Sequence, residues 1–89
     1  MEVIYAPRAL EDIGHWKKSG NKAIQNKIKS LVDSIKKTPF EGIGKPEPLK
    51  YQLSGAWSRR INGEHRLIYE VSETHDVKTI TIFSLRGHY

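Results

Sequence analysis

A stripe of apolar residues between positions 24 and 35 is the sequence feature that most constrains the fold of this chain. Its members recur at intervals of three and four residues: Ile24, Ile28, Leu31, Val32 and Ile35. This spacing places all of them on one side of an α-helix, and that side must be buried against another element. Lys36 and Lys37 suit the last turn of such a helix, and Pro39 predicts its end.

A shorter amphipathic helix is predicted upstream of this stripe. Leu10, Ile13 and Trp16 follow one another at near-helical spacing. Pro7 lies just before them and suits the first turn of a helix, where its missing N–H costs no hydrogen bond. Residues 19–21, Ser-Gly-Asn, predict a break and supply a polar cap for the second helix. Two amphipathic helices joined by a short turn therefore form a helical hairpin with one apolar side.

The rest of the chain predicts a sheet. Four runs that are rich in β-branched and aromatic residues have the character of strands: 3–5, 57–61, 66–71 and 79–85. Residues 38–50 hold several prolines and glycines and predict a stiffened loop. The pair Asn62-Gly63 is typical of a tight hairpin. Residues 72–78 predict a longer connection before the last strand.

The order β-α-α-β-β-β predicts one α+β domain over residues 1–89, with two amino-terminal helices packed on one face of a small, mainly antiparallel β-sheet. The opposite face of the sheet is then free for a polar site. The chain has no cysteine, and its histidines show no metal-ligand spacing, so we expect no metal. No segment resembles a signal peptide or a membrane helix, which makes the cytoplasm the expected location.

The charge of the chain predicts a polyanionic partner. Fifteen lysines and arginines against ten acidic residues give a net charge of +5, which favours nucleic acid or an acidic protein. Arg59, Arg60 and Arg66 fall on two adjacent predicted strands. A two-residue Asn-Gly turn would pair position 59 with 66, whereas a three-residue loop would pair 60 with 66. The residues leave this choice open, and a solvated basic face is the alternative to a phosphate site.

Two further residues have the chemistry of a base and an acid. Glu47 lies between two prolines, and its lysine neighbours favour the carboxylate form that a general base needs. His88 is of the residue type that titrates closest to neutral pH. Together with the arginines, these residues are the groups that a metal-free ribonuclease would use. An exposed loop glutamate and a frayed chain end are the structural alternatives.

Residues 38–71 closely resemble the YoeB-like (Txe/YoeB) toxins of the RelE/ParE superfamily. The characteristic run of that family, TPF-G-GKPE-LK…LSG-WSRRI…HRLVY with a terminal HY, is present almost throughout, with Ile68 where valine is usual. The helices and the first strand extend the resemblance over the whole chain. The resemblance implies a RelE-like microbial ribonuclease fold and the toxin of a type II toxin–antitoxin system. It also implies an mRNA endoribonuclease that needs no cofactor.

The resemblance implies roles for individual residues as well. Glu47 corresponds to the general base, Arg66 to the clamp on the phosphate and transition state, and His88 to the general acid. The resemblance implies that Lys50, Arg60 and Tyr89 bind RNA or its phosphates. The role of Arg60 favours the register that pairs it with Arg66. The terminal His-Tyr would then be part of the active site.

The implied partners are a YefM-like antitoxin with an acidic carboxyl-terminal segment, the 70S ribosome with mRNA in its A site, and a second copy of the chain in a homodimer. Cleavage of mRNA in the A site, by attack of the 2′-hydroxyl, would inhibit translation and leave a 2′,3′-cyclic phosphate. A ParE-like toxin that binds gyrase and a basic nucleic-acid-binding module are the alternatives. Neither alternative requires the base and the acid.

Overall fold

A computed structural model describes residues 1–87 of the chain, and the predicted site residues His88 and Tyr89 lie outside the described residues. The elements in chain order are β1 (Glu2–Tyr5), α1 (Pro7–Ser19), α2 (Lys22–Lys37), β2 (Glu47–Pro48), a 3-10 turn (Tyr51–Leu53), β3 (Trp57–Arg60), β4 (Arg66–Thr74) and β5 (Val77–Ser84). The strands form a mixed sheet in the order β1-β5-β4-β3-β2. In it β1 and β5 are parallel, and the other neighbours are antiparallel. The predicted α+β fold is confirmed.

Both helices follow their sequence signals. Pro7 occupies the first turn of α1. The side-chain oxygen of Asn21 accepts a hydrogen bond from the N–H of Ile24 at 3.1 Å and so caps α2. That helix ends at Lys37, two residues before Pro39, because the residue preceding a proline disfavours the helical conformation. Neither helix of the described chain is long and apolar enough to cross a membrane.

The helices pack on the same face of the sheet. Side chains alternate between the two faces along each strand, and the buried residues at the centre of β4 and β5 are Leu67, Tyr69, Ile80 and Ile82. These residues form one core with the apolar stripe of α2 and with Ala9 and Trp16 of α1. Complete burial of a large apolar side chain stabilises the folded state by about 1.5–3 kcal/mol. The shared core therefore holds the helices against the sheet.

The connection between β4 and β5 differs from the prediction. The two strands remain paired as far as Thr74 and Val77, so the predicted long connection over 72–78 is wrong. His75 and Asp76 alone form the turn, with φ angles of 51° and 65°. Positive φ at both central residues is typical of a two-residue type I′ hairpin. The prediction failed because polar residues such as Ser72, Glu73 and Lys78 are held in this hairpin by their partners across the ladder.

Candidate functional site

The loop between β3 and β4 decides which arginine lies on which face of the sheet. It consists of residues 62–64 and is closed by a hydrogen bond of 2.9 Å from the N–H of Ile61 to the carbonyl of His65. The asparagine at its start accepts two backbone N–H groups through its side-chain oxygen, each at 2.8 Å. The resulting register pairs Arg60 with Arg66. The three-residue alternative is therefore confirmed, and the two-residue turn is wrong.

The same ladder brings Glu47 to the face that carries these two arginines. β2 pairs Glu47 with Ser58, and β3 pairs Ser58 with Ile68. Residues directly opposite each other in antiparallel strands project to the same side, as do residues two apart in one strand. Glu47, Arg60 and Arg66 thus share the face opposite the helices, which we call the open face. Sheet spacing places the Cα atoms of Glu47 and Arg66 about 12 Å apart.

A two-residue strand inside the predicted loop holds Glu47 in place. The sequence prediction of an extended backbone here is confirmed, but the prediction missed that residues 47 and 48 join the sheet. Pro48 lacks an N–H group, and it is tolerated because β2 is an edge strand. The loop before it contains Gly44, whose carbonyl accepts a hydrogen bond from the N–H of Arg60 at 2.7 Å. This bond attaches the loop to the end of β3.

Lys50 lies close to Glu47, in the lining of the same groove. Residues 47–53 line an open groove of about 430 Å³. Glu47 and Lys50 are both exposed, and Tyr51 at the rim is 88% exposed with a φ angle of 58°. A tyrosine in this left-handed region is uncommon. No described residue forms an ion pair with Glu47, so its carboxylate is accessible to a ligand.

Arg66 presents donors on the open face. Its Nη1 donates to the carbonyls of Asn62, at 3.1 Å, and His65, at 3.4 Å. These bonds orient the guanidinium, and its Nε and Nη2 have no hydrogen bond to a residue within 1–87. Two parallel N–H groups of this kind match a carboxylate or phosphate bidentately. Arg60 lies directly opposite on β3 and is exposed.

Arg59 does not belong to the open face, which agrees with the register that the family resemblance favoured. Its side chain is fully buried on the other side of the sheet, against α2 and the loop that follows it. A buried cation must be hydrogen-bonded to be stable, and the guanidinium of Arg59 has a complete set of acceptors. They are the hydroxyls of Ser34 and Tyr69 and the carbonyls of Thr38, Glu41 and Ile43, at 2.7–3.2 Å. Arg59 therefore organises the loop between α2 and β2.

Tyr69 is a second organising residue that sequence reasoning missed. Its hydroxyl accepts from Arg59 and donates to the carbonyl of Pro39 at 2.6 Å. Burial raises the pKa of the Tyr69 hydroxyl above its usual value of 10.0, and the hydrogen bond and charge of Arg59 act in the opposite direction. In the sequence, this tyrosine is an ordinary aromatic residue of a strand. The sequence carried no signal for this role, because only the sheet register decides the side on which Tyr69 lies.

The end of the described chain is attached beside Arg66. The carbonyl of Gly87 accepts a hydrogen bond from the N–H of Arg66 at 2.9 Å. The N–H of Gly87 donates to Nδ1 of His65 at 2.8 Å. In the sequence, His65 showed no metal-ligand spacing and received no functional role. Within residues 1–87, no group of three or more His, Asp or Glu side chains is arranged to hold a metal ion.

Comparison with known proteins identifies the family. Residues 5–89 match the YoeB-like toxins of bacterial type II toxin–antitoxin systems. The chain belongs to this family. Toxin YoeB of Escherichia coli strain K12 is 44% identical over 89 residues, and the alignment covers all of both chains. The resemblance inferred from residues 38–71 is thereby confirmed over the full length.

Solved structures of the family agree with the fold. The YoeB/ParE toxin from Agrobacterium tumefaciens superposes with a TM-score of 0.93 at 37% identity, with complete coverage of both chains. The YoeB dimer from Staphylococcus aureus gives a TM-score of 0.87 at 42% identity. The YoeB–YefM complex from the same organism gives 0.83 at 41% identity. Both Staphylococcus aureus comparisons cover 100% of this chain and 98% of the other.

Proposed function

We propose that this toxin is an endoribonuclease, an mRNA interferase, that cleaves messenger RNA in the A site of the 70S ribosome and so inhibits translation. The observation that carries the proposal is the register of the open face. It brings Glu47, Arg60 and Arg66 to one side of the sheet, and the chain that leads to His88 is hydrogen-bonded beside Arg66. Membership of the family and the net charge of +5 support the same conclusion.

In the proposed reaction, Glu47 takes the proton from a ribose 2′-hydroxyl, and the 2′-oxygen attacks the adjacent phosphorus. Arg66 donates through Nε and Nη2 to the non-bridging oxygens, where negative charge develops in the transition state. The bond from phosphorus to the 5′-oxygen breaks, and His88 protonates that oxygen. The products are a 2′,3′-cyclic phosphate and a 5′-hydroxyl. Side chains supply both proton transfers and the charge stabilisation, so the scheme includes no metal.

Three further residues bind the RNA in this proposal. Lys50 lies in the groove beside Glu47 and Arg60 lies opposite Arg66, so both reach phosphates that flank the scissile bond. Tyr89 orients the substrate or stacks on a base, as aromatic residues do with single-stranded RNA. The lysine and the arginine on the open face are exposed and act as sequence-independent contacts.

We also propose the partners of this toxin by analogy with its relatives. The toxin from Staphylococcus aureus has been solved with YefM and as a dimer. A YefM-like antitoxin with an acidic segment would suit the basic surface of this chain, and a homodimer is proposed for the free toxin. Electrostatic steering predicts that the association rate with the antitoxin falls as salt rises, which stopped-flow measurements would detect. Because translating ribosomes are the target, we place the toxin in the cytoplasm.

Brief induction in bacterial cells, followed by mapping of mRNA 5′ ends, tests the reaction. We expect new ends inside translated codons, in register with the reading frame. Glu47→Gln should reduce these ends about 100-fold or more, because it removes the base. Glu70→Gln is the matched control, since Glu70 is an exposed carboxylate on the same face of β4, and it should leave the ends unchanged. Growth arrest without new ends would overturn the proposal and favour gyrase or another binding target.

A further inference from the structure

We propose that His65 is a positioning residue whose unprotonated Nδ1 holds Gly87 and so fixes the point from which the chain leads to His88. This inference rests on the proposed function, in which His88 is the general acid. It assigns His65 no contact with RNA. The side chain acts through the backbone of the residue that precedes the acid.

Gly87 is held through both of its backbone polar groups. Its N–H donates to Nδ1 of His65 at 2.8 Å, and its carbonyl accepts from the N–H of Arg66 at 2.9 Å. Two consecutive residues, His65 and Arg66, therefore bind one residue near the end of the chain. The φ angle of Gly87 is 79°, a left-handed conformation that glycine adopts without strain. Arg66, the proposed phosphate clamp, belongs to the same grip.

The ring of His65 is itself held in a fixed orientation. It packs edge-to-face against Trp16 of α1, with ring centroids 4.8 Å apart. The indole N–H of Trp16 donates to the carbonyl of Leu85 at 2.9 Å, and the N–H of Leu85 donates to the carboxylate of Asp12 at 2.8 Å. The aromatic pair thus anchors the tail at two points, two residues apart. An imidazole with only a packing role would not also require an acceptor directed at the tail.

The hydrogen bond defines the protonation state that performs this role. An imidazole nitrogen accepts a hydrogen bond only when it carries no proton, so His65 holds Gly87 as the neutral tautomer with its proton on Nε2. Nε2 lies 4.0 Å from a carboxylate oxygen of Glu64. Protonation of His65 would place a second N–H against the N–H of Gly87 and break the grip.

Two substitutions separate the acceptor from the ring. In His65→Asn, the side-chain oxygen lies close to the position of Nδ1 and can accept the same hydrogen bond. His65→Phe keeps an aromatic ring against Trp16 but has no acceptor. We expect amide hydrogen exchange at Gly87 to rise about tenfold or more in the phenylalanine variant. The asparagine variant should exchange at close to the wild-type rate.

Cleavage by purified ribosomes programmed with a message provides the second measurement. We expect His65→Phe to lower kcat about 10- to 100-fold with KM little changed, because a displaced acid affects the chemical step and not binding. His65→Asn should restore most of the rate, which a merely structural role of the ring would not produce. Equal Gly87 exchange in wild type and His65→Phe would overturn the inference. A wild-type cleavage rate in His65→Phe, despite raised exchange at Gly87, would also overturn the inference.

Exchange is measured on the free protein, so it separates this inference from the proposed function. Raised exchange in His65→Phe, with no cleavage by the wild type, would overturn the proposed function and leave the inference about His65 in place.

If His65→Phe does not fold, a pH titration of the wild-type protein followed by NMR takes the place of that variant. The Gly87 amide signal should then shift together with the ring signals of His65, and independent titration would overturn the inference. Charged or titratable side chains close to this anchor include Arg8, Asp12, His15, Glu64, Arg66 and Arg86.

Discussion

Arg59 and Tyr69 form a buried pair in which Nε of the arginine donates to the tyrosine hydroxyl at 3.2 Å. Each member also contacts the loop that follows α2. Arg59 donates to the carbonyl of Thr38 at 2.7 Å, and Tyr69 donates to that of Pro39 at 2.6 Å. The same loop leads to Glu47. Two residues that touch no substrate in our proposal therefore hold the loop that leads to the proposed base.

Arg59→Lys should destabilise the protein by about 2 kcal/mol or more, although the charge is conserved. The single ammonium group of a lysine cannot reach the five acceptors that the guanidinium satisfies. Each buried acceptor that is left without a donor costs about 1–3 kcal/mol. Urea unfolding at neutral pH measures the difference in the free energy of unfolding.

Arg60→Lys is the matched control for that substitution, because it makes the same chemical change one residue along the strand. Arg60 is exposed, so the free energy of unfolding should change by less than about 0.5 kcal/mol. Equal effects of the two substitutions would contradict the structural role of Arg59.

Stability at alkaline pH should report the burial of Tyr69. Its pKa is raised in the folded state by burial, so the folded protein keeps the proton to higher pH than the unfolded chain does. Its contribution to stability is therefore fully present below about pH 10, the usual pKa, and is lost as pH rises through the folded pKa. Unfolding free energies measured between about pH 8 and pH 11 should fall more steeply in the wild type than in Tyr69→Phe. Parallel curves for the two proteins would refute this assignment.

Gly44→Ala should destabilise the protein by about 2 kcal/mol or more. Gly44 has a φ angle of 83°, and an added Cβ would lie 2.6 Å from Cδ2 of Leu31 and 3.2 Å from the carbonyl oxygen of Arg60. Left-handed strain and overpacking each cost about 1–3 kcal/mol. Thermal unfolding followed by circular dichroism is the measurement. Gly63→Ala serves as the control, because a Cβ at Gly63 meets no atom within 4 Å, and a comparable loss there would show that the close approach at Gly44 is unimportant.

Arg66→Lys should lower the rate of mRNA cleavage about 100-fold or more with the stability little changed. The substitution keeps the charge but removes the parallel Nε and Nη2 donors that we propose for the phosphate oxygens. Cleavage on purified ribosomes under single-turnover conditions measures the effect. Arg60→Lys should lower the cleavage rate only a few-fold, because in this scheme Arg60 contacts a flanking phosphate and not the reacting one. A larger loss at position 60 than at position 66 would reverse the two roles.

The sequence by itself determined the parts of the fold that depend on near neighbours. The apolar stripe of α2, the cap at Asn21 and the stop at Pro39 involve residues within a few positions of one another, and all three predictions are confirmed. The extended backbone at Glu47 also followed from its adjacent prolines. Local steric limits and the 3.6-residue period of a helix are sufficient for such features.

Only the tertiary structure decided the side on which each polar residue lies. One extra loop residue after β3 exchanges the faces of Arg59 and Arg60, and the residues around the turn are compatible with both registers. The partners of Arg59 are 10 to 25 residues distant in sequence, and His65 and Gly87 are 22 residues apart. Hydrogen bonds and burial depend on which segments meet in space. For this reason the chemical types of the candidate site were visible in the sequence, whereas the residues that hold the site together were not.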